Sequence, residues 1–185
     1  KDYDVSSYCY RHSRRDWKVS AYDKDYGVNY DGDSRKPEYL IDGEKKTNWS
    51  SGKINDKPLE LPYYIIFDLN KVSDIDGVYL ANGYSNQCLA DVHVEYIGSE
   101  VADPYDINAP WETLLQVTDP NVVRANLKNE RFFDCPRTQA RYLRLKISNP
   151  NTIVFKSDSD LTEEEKANQK KYHSFAEFGT YYKKP

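Results

Sequence analysis

Short stretches in which apolar and polar residues alternate, separated by turn residues, constrain the fold of this 185-residue chain more than any other feature. The alternation is clear over residues 17–22 and again over residues 141–148. Since neighbouring side chains of a strand point to opposite faces, each stretch can bury one face and expose the other. We predict strands over residues 17–22, 63–69, 75–81, 90–97, 111–117, 131–134, 141–148 and 174–182.

The stretch at residues 63–69 differs from the others, because it is apolar almost throughout and is bounded by turn residues. This pattern predicts a core strand that is buried on both faces. A series of short strands with intervening turns is typical of an all-β sandwich or barrel. No long helical pattern alternates with the strands, which excludes a doubly wound α/β fold. We therefore expect an all-β, antiparallel β-sandwich.

One short helix is predicted near residues 162–171. Thr162 and Glu165 have the spacing of a capping box, in which the threonine hydroxyl and the glutamate carboxylate each bond a free backbone amide. Three glutamates lie in its first turn, where the helix dipole is positive. The segment has almost no apolar face, so we expect it on the surface as an insertion before the last strand.

The length of the chain fits a single domain that buries its core without metal or disulfide staples. Residues 1–16 are polar and tyrosine-rich with no sustained period, and we interpret them as an arm or linker that precedes a domain at 17–185. Because the chain contains no methionine, Lys1 is not a natural start. We expect the chain to be a portion of a longer protein, and a monomer as an isolated domain.

The charge pattern argues against two classes of partner. The formal net charge is -4, and charges of both signs are mixed along the chain. Nucleic acid and anionic membranes both require a clustered basic face, so neither is expected as the partner. No apolar run approaches the roughly 20 residues that cross a bilayer, and no membrane insertion is expected.

The cysteines Cys9, Cys88 and Cys135 are far apart and odd in number. They resemble neither a dense disulfide framework nor a CxxC metal site. Buried or incidental thiols are the favoured interpretation, and a Cys88–Cys135 bridge between strands stays open as the alternative.

The sequence carries no motif of a known catalytic site. His12, His93 and His173 lack the spacing of a metal-binding pair, and we interpret them as surface or strand residues. The chain has no GxSxG elbow, P-loop or GxGxxG motif. Carboxylates are plentiful and a glycosidase-like pair stays open, but in a chain with 30% charged residues an acidic pair is usually a solvated face. We expect no enzymatic activity.

Five motifs in order make the chain resemble the F5/8 type C (discoidin) domain family, which includes the family 32 carbohydrate-binding modules. The resemblance extends from about Trp17 to Tyr182, nearly the whole chain. It rests on residues 41–49 (IDGEKKTNW), 62–69 (PYYIIFDL), 111–114 (WETL), 140–145 (ARYLRL) and 176–178 (AEF). It implies a galactose-binding-domain-like antiparallel jelly roll with its ligand site in loops at one end, and it places Trp49 and Trp111 in the core.

The resemblance also implies a structural calcium ion. By position, the ligands would be side-chain oxygens of Asp42, Thr47 and Glu177 and backbone carbonyls near Tyr39 and Glu44. Calcium takes six to eight hard oxygen ligands and accepts this mixture of carboxylate, hydroxyl and carbonyl groups. The alternative is an ordinary Asp-Gly turn, in which Thr47 bonds the backbone.

The candidate ligand residues lie in loops that the resemblance places at one end of the sandwich. Sugar recognition needs an aromatic face and planar amide or charged groups that bond hydroxyls. The loop at 82–87 has both an aromatic ring and planar amides and is the leading candidate. Other loops at this end could contribute as well, or could be ordinary exposed segments. The predicted contacts are Asn82, Tyr84, Asn86 and Gln87, with Tyr26, Tyr30, Lys53 and Phe155 from other loops.

Two classes of function follow. The first is a non-catalytic carbohydrate-binding module of a secreted or surface-attached, bacterial protein, which binds a glycan or polysaccharide outside the cell. The second is a discoidin-type adhesion module that binds a surface protein, and an accessory domain of a larger glycan-processing enzyme is a variant of the first. Many galactose-binding members carry an arginine near Ala81 or Asn82 and a histidine where this chain has Ser50. Both are missing, so the sequence does not specify the sugar.

Overall fold

A computed structural model gives the fold of the chain. It describes residues 3–4, 8–23, 27–29, 36–51, 53–54, 57–58, 61–83, 88–106, 108–118, 128–149, 160, 162–164 and 173–185. The described part is built almost wholly of antiparallel strands with one short 3₁₀ helix, so the predicted all-β antiparallel fold is confirmed. No helix of this part is long and apolar enough to cross a membrane.

Most of the strands are short, and two are much longer than the others. The long strands are β8 and β11, of 20 and 17 residues. In chain order the elements are β1 (Tyr3–Asp4), β2 (Cys9–Arg11), β3 (Lys18–Asp23), β4 (Gly27–Asn29), the 3₁₀ helix η1 (Pro37–Ile41), β5 (Trp49–Ser50), β6 (Lys53–Ile54), β7 (Lys57–Pro58), β8 (Tyr63–Asn82), β9 (Asp91–Ile97), β10 (Glu112–Thr118), β11 (Arg131–Ile147) and β12 (Ser174–Lys183).

Strands β8 and β11 pair over most of their length, with two register shifts, and connect the two layers of the sandwich. The first half of β8 pairs with β3 and with the end of β11, while its second half pairs with β12 and with the start of β11. Strands β9 and β10 extend the first layer beyond β11, and β2 and β5 pair with β12 in the second. The sandwich predicted from the alternating pattern therefore has one long antiparallel pair of strands, β8 and β11, in common between its layers.

Aromatic stacking in the interior joins the layers. The rings of Phe67 on β8 and Phe178 on β12 stack with centroids 4.3 Å apart. The ring of Trp49 stacks on Phe175 at 6.2 Å and is fully buried, as predicted for a core tryptophan. Trp111 is only partly buried, and the Arg144 guanidinium covers its ring at 4.5 Å.

The long strands are continuous where the sequence predicts breaks. Residues 63–69 and 75–81 were predicted as separate strands, as were 131–134 and 141–148, but each pair forms one strand. The apolar pattern is interrupted because the joining residues are largely solvent-facing, with Val72 46% exposed. Main-chain pairing nevertheless resumes on the other side of them, after a register shift that places residues 69–72 of β8 opposite residue 141 of β11.

Part of the predicted N-terminal arm belongs to the sheet. Strand β2 pairs with β12, with Arg11 opposite Tyr181 and Cys9 opposite Lys183. The pattern of the sequence is weak here because β2 is short and all of its residues are half-buried. Residues 9–11 of the predicted arm therefore pair with the last strand of the sandwich.

Several local predictions can be compared with the structure. Glu163 and Glu164 are helical and exposed, while residues 165–171 of the predicted helix lie outside the described residues. Cys88 and Cys135 are buried thiols that no disulfide joins, so the alternative of a bridge between them is wrong. Arg141 pairs with Asp68 across β11 and β8.

The contact between the layers predicts a large difference between two phenylalanine substitutions. Phe178 is fully buried in the core, whereas Phe132 is 48% exposed on the outer face of the same layer. Phe178→Ala should lower the free energy of unfolding by about 3–5 kcal/mol, because it opens a cavity between stacked rings. Phe132→Ala should cost about 1 kcal/mol or less. Equal losses in chemical denaturation would contradict this account of the core.

Candidate functional site

The residues from which the predicted ligand-binding loops leave the sandwich, here called the loop roots, lie together at one end. At this end Ser174 of β12 lies opposite Ser50 of β5, and Phe175 lies opposite Asn82 of β8. The start of β8 and the end of β11 also meet here, as Tyr63 pairs with Ile147. The segments that follow residues 51, 83 and 149 therefore leave the sandwich from neighbouring positions.

Asn82 lies inside this end of the molecule. Its side chain is fully buried, and among the described residues neither its amide nitrogen nor its oxygen has a hydrogen-bond partner. The next residue, Gly83, donates its amide to the Ser174 carbonyl at 3.0 Å. A Cβ on Gly83 would lie 2.0 Å from the Ser174 hydroxyl oxygen, so only glycine fits this approach.

The other predicted ligand residues are only partly located. Lys53 begins β6, which pairs with β7 in a separate two-stranded sheet two residues after Ser51. Tyr26, Tyr30, Tyr84, Asn86, Gln87 and Phe155 lie outside the described residues. The structure thus locates the roots of the predicted site, and the side-chain contacts stay predictions.

A buried polar network holds these roots in place, and no motif of the sequence indicates it. The imidazole of His173 lies between Tyr63 and Asn149, with Nδ1 2.5 Å from the Tyr63 hydroxyl and Nε2 3.0 Å from the Asn149 carbonyl oxygen. A carbonyl only accepts, so Nε2 carries the hydrogen and Nδ1 accepts from the tyrosine. Ser51 and His173 also exchange two hydrogen bonds through their backbones and the Ser51 hydroxyl.

The network requires a neutral histidine. Burial lowers the pKa of His173 to about 4, although the hydrogen bond to the Asn149 carbonyl opposes this change. Burial raises the pKa of Tyr63 well above its usual value, so the phenol stays protonated and donates. His173 was predicted as a surface or strand residue, and its burial corrects that interpretation. Its burial is tolerated because Tyr63 and Asn149 each form a hydrogen bond with one ring nitrogen.

A second cluster of oxygens lies where η1 ends. Helix η1 ends at Ile41, and Gly43 adopts a left-handed φ of 79° in the turn that follows. Asp42 accepts the Glu44 amide at 2.8 Å and also accepts the Thr47 hydroxyl. The Thr47 oxygen lies 3.1 Å from the Glu44 carbonyl as well. This turn is the Asx-type structure expected from an Asp-Gly pair.

Glu177 of β12 faces this turn from the sheet. Only 1% of its side chain is exposed, and Oε2 accepts a hydrogen bond from Arg14 Nη1 at 2.5 Å. The other oxygen, Oε1, has no hydrogen-bond partner among the described residues. Burial and the nearby Asp42 carboxylate raise the pKa of Glu177 to about 7, although Arg14 lowers it in part. A buried acceptor beside a second carboxylate is a poor arrangement unless a cation is near.

The oxygens of this turn fit the predicted calcium ligands in part. The side chains of Asp42, Thr47 and Glu177 and the Glu44 carbonyl are brought together, while the Glu44 side chain is exposed. Tyr39 donates its backbone amide to the Lys36 carbonyl within η1. No group of three or more His, Cys, Asp or Glu side chains in the described ranges could hold a metal. An ion here would depend on two carboxylates supplemented by neutral oxygens, which suits calcium.

Comparisons with known proteins agree with this architecture. The family model for the F5/8 type C domain matches residues 18–157. The chain belongs to the F5/8 type C domain family. No curated protein sequence matches it at a significant level. The predicted family, and with it the galactose-binding-like β-sandwich, is confirmed.

Solved structures of carbohydrate-binding modules share the fold of this F5/8 type C domain. The Clostridium perfringens module CpGH89CBM32-5, in complex with GalNAc-β-1,3-galactose, is 13% identical with a TM-score of 0.58, covering 91% of this chain and 96% of that one. The family 32 module of C. perfringens NanJ, in complex with galactose, is 15% identical with a TM-score of 0.57, covering 92% and 96%. Chitosan-binding module 1 from a Paenibacillus sp. IK-5 chitosanase/glucanase is 14% identical with a TM-score of 0.60, covering 93% and 98%.

The buried histidine predicts a specific pH dependence of stability. The pKa of His173 is about 4 in the folded domain, against an ordinary value of 6.5. On acidification, His173 is therefore protonated at a higher pH in the unfolded chain than in the folded domain. Its contribution to the free energy of unfolding is complete above pH 6.5 and decreases as the pH falls toward 4. The loss should reach about 3 kcal/mol, because a pKa difference of one between the folded and unfolded states corresponds to about 1.4 kcal/mol.

The variant His173→Gln isolates this contribution. The difference in unfolding free energy between the native chain and the variant should shrink by about that amount between about pH 7 and pH 4. Urea titrations at several pH values measure it. Parallel pH profiles for the two proteins would show that His173 is not held neutral by burial.

Proposed function

We propose that the chain is a non-catalytic carbohydrate-binding module that binds glycan through the loops at the Asn82 end of the sandwich. The observation that carries this proposal is the convergence of the loop roots on the buried network of His173, Tyr63, Ser51 and Asn149. A rigid base lowers the entropy that loops lose when they order around a ligand. The sugar-bound family 32 modules that share the fold support the same class of function.

The chemistry of the leading loop suits a saccharide. Residues 82–87 read Asn-Gly-Tyr-Ser-Asn-Gln, which combines one aromatic ring with several planar amides. An aromatic face can pack on the apolar side of a sugar ring, while amides both donate to and accept from its hydroxyls. Because Asn82 is fully buried, we assign it to the base of this site and assign direct contacts to Tyr84, Asn86 and Gln87.

The proposal extends to the context of the module. We place it in a secreted or surface-attached bacterial protein, where a module of this kind holds polysaccharide or directs an attached enzyme to it. Tyr26, Tyr30 and Lys53 would contribute from neighbouring loops. The role of the module would be binding alone, with the isolated domain a monomer.

Calcium is proposed as a structural ion in the turn after η1. Asp42, Thr47 and Glu177 would hold it with their side chains, and carbonyls of the turn around Tyr39 and Glu44 would complete the shell. The unbonded Glu177 Oε1 supports this assignment, because it is a buried acceptor beside a second carboxylate. When bound, the ion would connect the first loop to the last strand and would take no part in chemistry.

A glycan-array screen of the isolated domain tests the ligand proposal. We expect the native domain to bind a subset of glycans and Tyr84→Ala to lose up to about tenfold in affinity, because a stacked aromatic contact contributes about 0.5–1.5 kcal/mol. Tyr8→Ala is the matched control, since Tyr8 is 75% exposed and lies at the opposite end of β12, where its carbonyl accepts the Lys184 amide.

Three results of this screen would change the proposal. Equal losses in Tyr84→Ala and Tyr8→Ala would remove the assignment of the site to the Asn82 end. Binding retained by both variants would keep the class of function and move the contact to another loop. An array without any bound glycan would favour the discoidin-type adhesion module, which a pull-down from surface proteins would then address.

Calcium removal should lower thermal stability. A ligand present at about 100 times its dissociation constant stabilises the folded state by about 2.7 kcal/mol, so chelation should lower the melting temperature by several degrees. Asp42→Ala should abolish this response. Glu44→Gln should retain it, because only the backbone of Glu44 is assigned to the ion. An unchanged melting temperature with chelator, and no metal by elemental analysis, would remove the calcium assignment.

A further inference from the structure

Arg14 bonds the Glu177 carboxylate, which the proposed calcium site would also use. Its Nη1 atom lies 3.1 Å from the Leu40 carbonyl, 2.5 Å from Glu177 Oε2 and 2.8 Å from the Phe178 carbonyl. These acceptors belong to η1 and to β12, and Arg14 itself belongs to the segment before β3. One cation thus connects three parts of the chain through carbonyl and carboxylate oxygens, as a bound metal ion does.

The pairing with Arg14 compensates a buried charge. Only 1% of the Glu177 side chain and 14% of the Arg14 side chain are exposed. Removing one partner of such a pair leaves an uncompensated charge in a medium of low polarity, which is strongly destabilising. The guanidinium also lies 5.6 Å from the Tyr79 ring centroid, which helps to hold its position.

The same charge would oppose a metal ion. The ionised side chains of Arg14, Asp42 and Glu177 carry one positive and two negative charges, so the site has a net negative charge that would double without Arg14. The affinity of oxygen sites for calcium rises with the negative charge of the ligands. In addition, Arg14 occupies one of the two Glu177 oxygens, so an ion and the guanidinium would compete for this carboxylate.

We propose that Arg14 is the resident cation of the Asp42–Glu177 site: it ties the first loop to the last strand when no metal is bound, and it weakens calcium binding. The calcium half of this inference rests on the proposed calcium site. The domain consequently keeps its fold without metal, and calcium adds less stability than it would to the same site without Arg14.

Thermal unfolding and calcium titration of the full chain test this inference at a fixed pH. Arg14→Gln should melt several degrees below the native protein in the presence of EDTA, and calorimetric titration with calcium chloride should show at least about tenfold tighter binding. Arg15→Gln is the matched control, because Arg15 is the exposed neighbour, and it should change neither quantity. Arg14→Lys keeps the charge and should bind calcium as weakly as the native protein.

The double variant Arg14→Gln/Glu177→Gln distinguishes the loss of the Arg14–Glu177 ion pair from a non-specific loss of stability. It should melt above Arg14→Gln in EDTA, because no unpaired buried carboxylate remains. If Arg14→Gln does not fold in EDTA, its recovery on addition of millimolar calcium supports the inference, and failure to recover overturns it.

The remaining outcomes distinguish the two proposals. Calcium binding by the native protein, with equal or weaker binding by Arg14→Gln, would overturn the role of Arg14 and leave the calcium site in place. An unchanged melting temperature for Arg14→Gln in EDTA would overturn it as well. If neither protein binds calcium, the calcium site fails and the competition inferred here fails with it.

Discussion

The pairing of β8 with β11 is the constraint on which the rest of the structure depends. Because each strand continues from one layer into the other, the two layers cannot shift independently. The stacked rings of Phe67 and Phe178 then fill the space between the layers. The loop end is formed by β8 and its partner β12, and the turn after η1 leads into β5, which pairs with β12, so the positions of both depend on the pairing around β8.

Two polar clusters lie on these strands, and they differ in whether their buried side chains are neutral or charged. At the loop end, His173 stays neutral and each ring nitrogen has a partner, so the cluster is satisfied without any ion. At the turn after η1, the buried carboxylate of Glu177 faces a second carboxylate and depends on a positive charge. The first cluster serves as a rigid base for loops, whereas the second is suited to a cation, either Arg14 or calcium.

Much of the fold could be predicted from local patterns. The strand at 17–22 is found at Lys18–Asp23, and the strand at 90–97 is found at Asp91–Ile97, because alternation directly reflects one buried face. The break near Val72 was mispredicted, since solvent-facing residues interrupt the apolar pattern while main-chain pairing resumes beyond them. The strand at Cys9–Arg11 was missed, because a short strand of half-buried residues has no clear period.

The candidate sites were harder to predict from the sequence than the fold. The Asp42 turn could be predicted, because its chemistry is local, with Asp, Gly and Thr close together in the chain. The pairing of Arg14 with Glu177 joins residues 163 positions apart, and the contact of Tyr63 with His173 joins residues 110 apart. No local pattern marks such partners. Only the family resemblance brought Glu177 to the turn, and it indicated neither Arg14 nor the histidine network.

The central claim is that ligand binds at the end of the sandwich where β8 ends and β12 begins. NMR chemical-shift mapping of the isotope-labelled domain during titration with a glycan that it binds tests this most directly. The account predicts that the largest changes fall on the amides of residues 82–87 and on neighbours such as Ser51 and His173. Changes concentrated instead around Tyr8 and Lys184, at the far end of β12, would contradict it.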